Sequence, residues 1–203
     1  MKVAIINYGM GNLRSVANAF EALGCAAHVI SDPDELPSAE RVVLPGVGAF
    51  ADGMANLKAA GWIPLLEEAR DRGRPFLGLC LGMQLLATAG TEHGVHAGLN
   101  WIAGTVERFQ SKDTSIRIPH IGWNDVRFIK REGLYAGMGD MGTFYFVHSY
   151  ILRPDDAAVI SGNTNYGIDF AASVERGNIF ATQFHPEKSQ KAGLAVLKNF
   201  LAA

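Results

Sequence analysis

Hydrophobic and polar positions follow two alternating rhythms over the first eighty residues. KVAIIN (2–7) is an apolar run of strand length, and a continuous run of this kind predicts a strand buried on both faces. LRSVANAFEALG (13–24) instead places apolar side chains three and four positions apart, at Leu13, Val16, Ala17, Phe20 and Leu23. That spacing predicts a helix with one buried stripe. The exchange repeats. AAHVIS and RVVLP predict a second and a third strand, AFADGMANLKAAGW and PLLEEARDRG predict helices, and RPFLGL (74–79) predicts a strand running directly into Cys80. Strands alternating with helices at this spacing predict a parallel sheet covered on both faces.

The second half changes character. AGTVERF, DVRFI, TFYFVHSY, AAVISG, FAASVER and NIFATQF are short β-rich runs separated by Gly, Asn and Asp turns. They predict mixed or antiparallel strands added to the sheet edge, before a closing helix over GLAVLKNFL. No repeat or flexible linker interrupts the chain, so residues 1–203 read as one α/β domain: a mixed, largely parallel sheet with helices on both faces and a β-rich second half.

Composition narrows the class. The apolar share is 48%, the charged share 19% and the net charge −2, which gives no bulk electrostatic case for nucleic acid or an anionic membrane. No apolar run approaches the length of a bilayer span, and the start of the chain lacks a secretory pattern, so a cytoplasmic location is expected. The cysteines are Cys25 and Cys80. Cys25 follows a glycine at a helix-to-strand junction and suits packing. No closely spaced Cys/His set predicts a metal.

Active sites in such sheets lie where strands end and loops enter helices. Four loops qualify: YGMGN, PGVGAF, CLGMQ and FHPEKS. In GLCLG (78–82) the glycines allow a sharp turn that projects Cys80, and the first amides of a following helix favour a thiolate. A buried cysteine in a glycine-rich turn fits the same residues. His185 and Glu187 flank Pro186, and in an extended segment they point the same way. Glu187 can then orient the His185 imidazole while it takes a thiol proton. Glycines in PGVG permit an oxyanion hole, with one donor near Gly48 and the other at the N–H of Leu81. Gln84 follows Cys80 by four and shares its helix face. Glu92, in the next loop, can receive a substrate ammonium. A dinucleotide reading of YGMGNLRS fails at Arg14, too large for the third glycine position. His120 in IPHIGWN and His148 in FVHSY sit in unusual stretches, and Trp123 and Tyr145 there fit either partner anchors or core packing.

Taken together, CLGMQ and the later HPE resemble the triad glutamine amidotransferases, with a flavodoxin-like glutamine amidotransferase fold. Within them the chain is most similar to the glutaminase subunits of imidazole glycerol phosphate synthases. YGMGNLRSV, LPGVGAF, GLCLGMQLL, IPHIGWN, FYFVHSY and FHPEKSQ carry that likeness in order. The resemblance implies that Cys80 attacks the side-chain amide of L-glutamine, with His185 as base and then acid and Glu187 behind it. It implies glutamine binding by Gly48, Gln84, Glu92, Ser149 and Tyr150. Asn12, Trp123, Tyr145 and Lys188 match positions at or near the interface with a (β/α)₈-barrel cyclase, the heterodimer partner that would receive ammonia. It also implies that activity waits on the partner's ligand, with PGVG as a plausible switch. No cofactor or metal is expected. Rival readings are a glutaminase subunit of another pathway, a free-standing cysteine hydrolase of γ-glutamyl compounds, and a non-catalytic activating module.

Overall fold

The computed structural model describes residues 2–111 and 116–203. The chain opens with β1 (Val3–Ile6), whose four side chains are all buried. The helix α1 (Leu13–Glu21) follows, and the Asn12 side chain caps it by accepting from the Ser15 amide, one of the orphan donors of a helix start. Then come β2 (Ala27–Ile30), β3 (Arg41–Gly46), α2 (Phe50–Ala59), α3 (Trp62–Asp71) and β4 (Phe76–Cys80). A single helical turn, α4 (Leu81–Gln84), leads to β5 (Ala87–Gly90), β6 (His96–Ala97) and β7 (Ile102–Arg108). The remaining strands are β8 (His120–Phe128), β9 (Met141–His148), β10 (Tyr150–Pro154), β11 (Ile160–Asn165), β12 (Asp169–Arg176) and β13 (Ile179–Thr182). A 3₁₀ turn at Pro186–Lys188 precedes the closing helix α5 (Gln190–Ala202).

Nine strands form one sheet in the order β2-β1-β3-β4-β13-β12-β11-β8-β9. The ladders from β2 through β13 are parallel, and those from β13 to β9 are antiparallel. Successive residues of the parallel strands feed opposite cores. Ala4, Ile6, Val42 and Leu44 meet α2 and α3 through Leu57 and Leu66. Val3, Ile5, Val43 and Leu77 meet α1 and α5 through Phe20, Val196 and Phe200. Each fully buried side chain of this size contributes about 1.5–3 kcal/mol, and the two-sided burial is why these strands read as unbroken apolar runs.

Two expectations need correcting. The segment after Cys80 is one turn of helix rather than a full helix, so it supplies helix-start amides and little macrodipole. The chain leaves the helix because Leu99 donates to the Leu85 carbonyl and Trp101 and Ile102 donate to that of Leu86, which ties the backbone to β7's approach. Nor do all the later strands extend the main sheet. The strands β10, β7, β5 and β6 form a separate four-stranded sheet, with β7 and β10 antiparallel. Among the described residues no helix is long and apolar enough to cross a membrane.

Candidate active site

Cys80 closes β4 and immediately precedes α4, so the chain reverses direction around it. Its backbone sits at φ 53° and ψ −105°, a conformation costing a residue with a side chain about 1–3 kcal/mol. The flanking glycines are required by space. A Cβ on Gly78 would come 2.8 Å from the Gly82 carbonyl oxygen, and one on Gly82 would collide with the Leu44 carbonyl. The turn thus places Cys80 in the lining of a cavity of about 250 Å³.

The cavity gathers the residues singled out around Cys80. Gly48 and Leu81 line it, as do Gln84, Glu92, Ser149 and Tyr150. The Leu81 amide opens a helix and has no carbonyl behind it. The Gly48 amide takes part in no turn or loop bond among the described residues, and φ is 115° there, a value that suits glycine. Glu92 accepts at 3.0 Å from the Phe50 amide at the start of α2, which anchors its loop beside the segment carrying Gly48. Gln84 donates through Nε2 to the Tyr150 carbonyl at 3.0 Å and to Gln183 Oε1 at 3.1 Å.

His185 follows β13, beside the end of β4, because β13 and β4 pair in parallel with Thr182 opposite Leu79. Its amide donates to the Tyr145 carbonyl at 2.9 Å, and Ser189 Oγ donates to its own carbonyl at 2.6 Å. Nδ1 lies 2.8 Å from Glu187 Oε1, with side-chain exposures of 3% and 2%. The two do not meet as neighbours on one face of an extended segment. His185 is extended, but Glu187 lies in the 3₁₀ turn, which folds its carboxylate back onto the ring. Burial disfavours the imidazolium, but the Cys80 sulfur and the Glu187 carboxylate outweigh it, and the His185 pKa is pushed up to about 10. The sulfur is nevertheless not yet aligned on the ring: Nε2 has no hydrogen-bond partner, and Sγ faces the Val147 carbonyl at 3.9 Å.

Sequence reasoning assigned no role in the site to two residues that the structure brings there. His148 lines the cavity and donates from Nδ1 to the Tyr150 carbonyl at 3.0 Å. Its Nε2 then accepts from His120 Nδ1, also at 3.0 Å. Burial, reinforced by His120, pulls the His148 pKa down to about 3, and burial pulls His120 to about 4, so both rings stay neutral. The second omission is Gln183, fully buried and in contact with Sγ. A polar residue two before His185, at the end of the mostly apolar run IFATQF, was the available signal.

Trp123 and Tyr145 pair across β8 and β9, with ring centroids 6.0 Å apart. Lys188 Nζ lies 5.9 Å from the Tyr145 ring centre. Trp123 is 49% exposed, and Ile121 beside it 58%, so this is surface rather than core. Asn12 stands apart as the cap of α1, although Ser15 and Asn18 of that helix share a depression with Pro186 and Glu187.

A thiol, an imidazole backed by a carboxylate and two available amides around one cavity can carry out acyl transfer from an amide. The family model described as glutamine amidotransferase class-I matches residues 4–203. The chain belongs to this family. Among class-I glutamine amidotransferases, it is 50% identical over 198 residues to the imidazole glycerol phosphate synthase subunit HisH of Moorella thermoacetica, covering 98% of this chain and 93% of that one. It is also 50% identical over 203 residues to the subunit of the same name from Geobacter metallireducens, covering 98% and 96%. Solved structures share the fold. PurLQS from Thermotoga maritima aligns with a TM-score of 0.78 at 18% identity over 99% of this chain and 97% of that one. A glutamine amidotransferase from Thermotoga maritima aligns at 0.66 and 19%, over 100% and 81%.

Proposed function

We propose that this protein is the glutaminase subunit of an imidazole glycerol phosphate synthase, acting in histidine biosynthesis. Its relatives at 50% identity over nearly their whole length carry that subunit name. The observation that carries the chemistry is the cavity-facing Cys80 on a strained turn, beside a buried His185–Glu187 pair 2.8 Å apart.

In this reading His185 Nε2 takes the Cys80 proton, and Sγ bonds to the side-chain carbonyl carbon of glutamine. Negative charge on the carbonyl oxygen is met by the amides at Gly48 and Leu81. The same imidazolium returns its proton to the departing nitrogen, so ammonia leaves and a γ-glutamyl thioester remains. Water, deprotonated by His185, then attacks the thioester. Glutamate departs, and the thiol recovers its proton. Glu187 orients the ring and stabilises its charge throughout. Gln84, Glu92, Ser149 and Tyr150 hold the amino-acid portion of the substrate.

Ammonia is delivered to a (β/α)₈-barrel cyclase in a heterodimer. Trp123, Tyr145, Lys188 and Asn12 form the docking contacts, a reading supported by the exposure of Trp123 and its neighbours. The deciding assay measures glutamate release by the chain alone, with the cyclase, and with the cyclase plus its acceptor nucleotide. A large rise in the third sample is expected. Strong turnover alone, indifferent to the partner, would keep the thiol chemistry and remove the assignment to this pathway.

A further inference from the structure

The orientation of Gln183 is determined by a chain of obligate hydrogen-bond roles that starts at a backbone carbonyl. The Tyr150 carbonyl can only accept, so the Gln84 atom 3.0 Å from it is the amide nitrogen. That nitrogen also meets the Gln183 side chain at 3.1 Å, so the Gln183 atom there is Oε1. The opposite end of the same planar amide is therefore Nε2, and it lies 3.6 Å from Cys80 Sγ. Reversing the Gln183 amide would set two N–H groups against each other and aim an oxygen at sulfur. The backbone is pinned as well, since the Gln183 amide donates to the Ala172 carbonyl at 2.8 Å.

The surroundings of Sγ give this donor a task. The sulfur also faces the Val147 carbonyl oxygen at 3.9 Å, an acceptor that suits a thiol and repels a thiolate. A side-chain amide N–H suits a thiolate. Gln183 is 0% exposed, and a hydrogen bond to an ion is stronger where water is excluded.

We infer that Gln183 is a further catalytic residue: its Nε2–H donates to the Cys80 sulfur, stabilises the thiolate and swings it away from the Val147 carbonyl. Gln84 is the positioning residue that keeps this donor aimed, which couples the amino-acid pocket to the nucleophile through a single side-chain contact. The inference rests on the reading of Cys80 as the nucleophile of glutamine hydrolysis, and its test reads the thiol without glutamine.

The test follows the rate of Cys80 alkylation by iodoacetamide across pH, read by mass on the Cys80 peptide, in the full chain with and without the cyclase. Gln183→Met preserves volume and removes the donor. Its pH of half-maximal alkylation is expected to rise by about one unit, the scale of one hydrogen bond to an ion. Glutaminase kcat/KM should fall by about 10- to 100-fold through kcat. Should Gln183→Met fail to fold, Gln84→Met unpins the same amide without touching sulfur, and a smaller upward shift is expected. An alkylation profile matching the unsubstituted chain, in whichever folded variant is read, overturns the inference while leaving the glutaminase reading intact. The converse pattern, a shifted thiol in a chain that never hydrolyses glutamine, keeps the role of Gln183 and overturns the substrate.

Discussion

Gly46 stands directly opposite Cys80 in the parallel ladder between β3 and β4. That register sets the start of the Val47–Gly48 segment beside Cys80, and it leaves no room for a side chain at Gly46. A Cβ there would lie 2.8 Å from the Leu81 Cβ and strike the Tyr8 hydroxyl. Gly46→Ala is therefore expected to displace the segment that carries the Gly48 amide. Its kcat should fall by about 10²-fold or more, the cost of losing one oxyanion donor, with circular dichroism unchanged. Retention of full kcat would separate this strand end from the chemistry.

Gly82→Ala tests the turn itself. The added methyl collides with the Leu44 carbonyl, a rigid backbone group. Destabilisation of about 1–3 kcal/mol or more is expected. A urea titration at constant m-value measures it, and a midpoint equal to that of the parent would refute the steric account of the Gly-x-Cys-x-Gly spacing.

Glu187→Gln leaves shape intact and removes the charge behind His185. An amide can present N–H to Nδ1 and force the wrong tautomer, so kcat is expected to drop by about 10³–10⁴-fold. Binding of glutamine should hardly change. Isothermal titration against a Cys80→Ala background checks the second half of that statement.

Stability should be greatest near pH 6.5. His120 and His148, held neutral by burial, have pKa values of about 4 and about 3 against 6.5 when unfolded. Between those values the unfolded chain binds more protons, so acidification through this window removes stability. His185 has the opposite sign. Burial works against its charge, but Cys80 and Glu187 raise its pKa to about 10 from 6.5. Its contribution is complete below pH 6.5 and is lost as pH rises towards 10, because there the folded chain holds the extra proton. Urea midpoints measured from pH 4 to 9 should pass through a maximum; a steady rise across the whole range would contradict the His185 part.

Trp123→Ala is expected to weaken association with the cyclase by about 2 kcal/mol or more, as buried aromatic anchors do. The side chain is half exposed in this chain, so the melting temperature of the isolated protein should scarcely move. Surface plasmon resonance against the immobilised cyclase gives the first quantity, and calorimetry gives the second.

How much of this was readable beforehand depended on whether the determining contacts were local. The strands β1 to β4 and the helices α1 to α3 were readable because two-sided or one-sided burial writes itself into the spacing of apolar residues. Leu85 to Gly90 was not, since an apolar run alone does not separate helix from strand, and what ended the helix was the capture of the Leu85 and Leu86 carbonyls by residues 99–102. The start of β8 at His120 was hidden for a related reason. Its outward positions, Ile121 and Trp123, are exposed apolar residues, so the usual in–out alternation is missing. In the site, the glycine spacing around Cys80 and the His-Pro-Glu run announced themselves by residue type. The role of Gln183 did not, because it depends on a sulfur 103 positions away.

That separation has a consequence for a chain made from one end to the other. The parallel pairing of β4 with β13 is what carries His185 and Gln183 to Cys80, so on the proposed mechanism the thiol leaves the ribosome without base or donor and waits for the last strand of the sheet. Long-range parallel pairing is also among the slower steps of folding. On the proposed mechanism, a nascent or partly folded chain hydrolyses no glutamine until the sheet has closed.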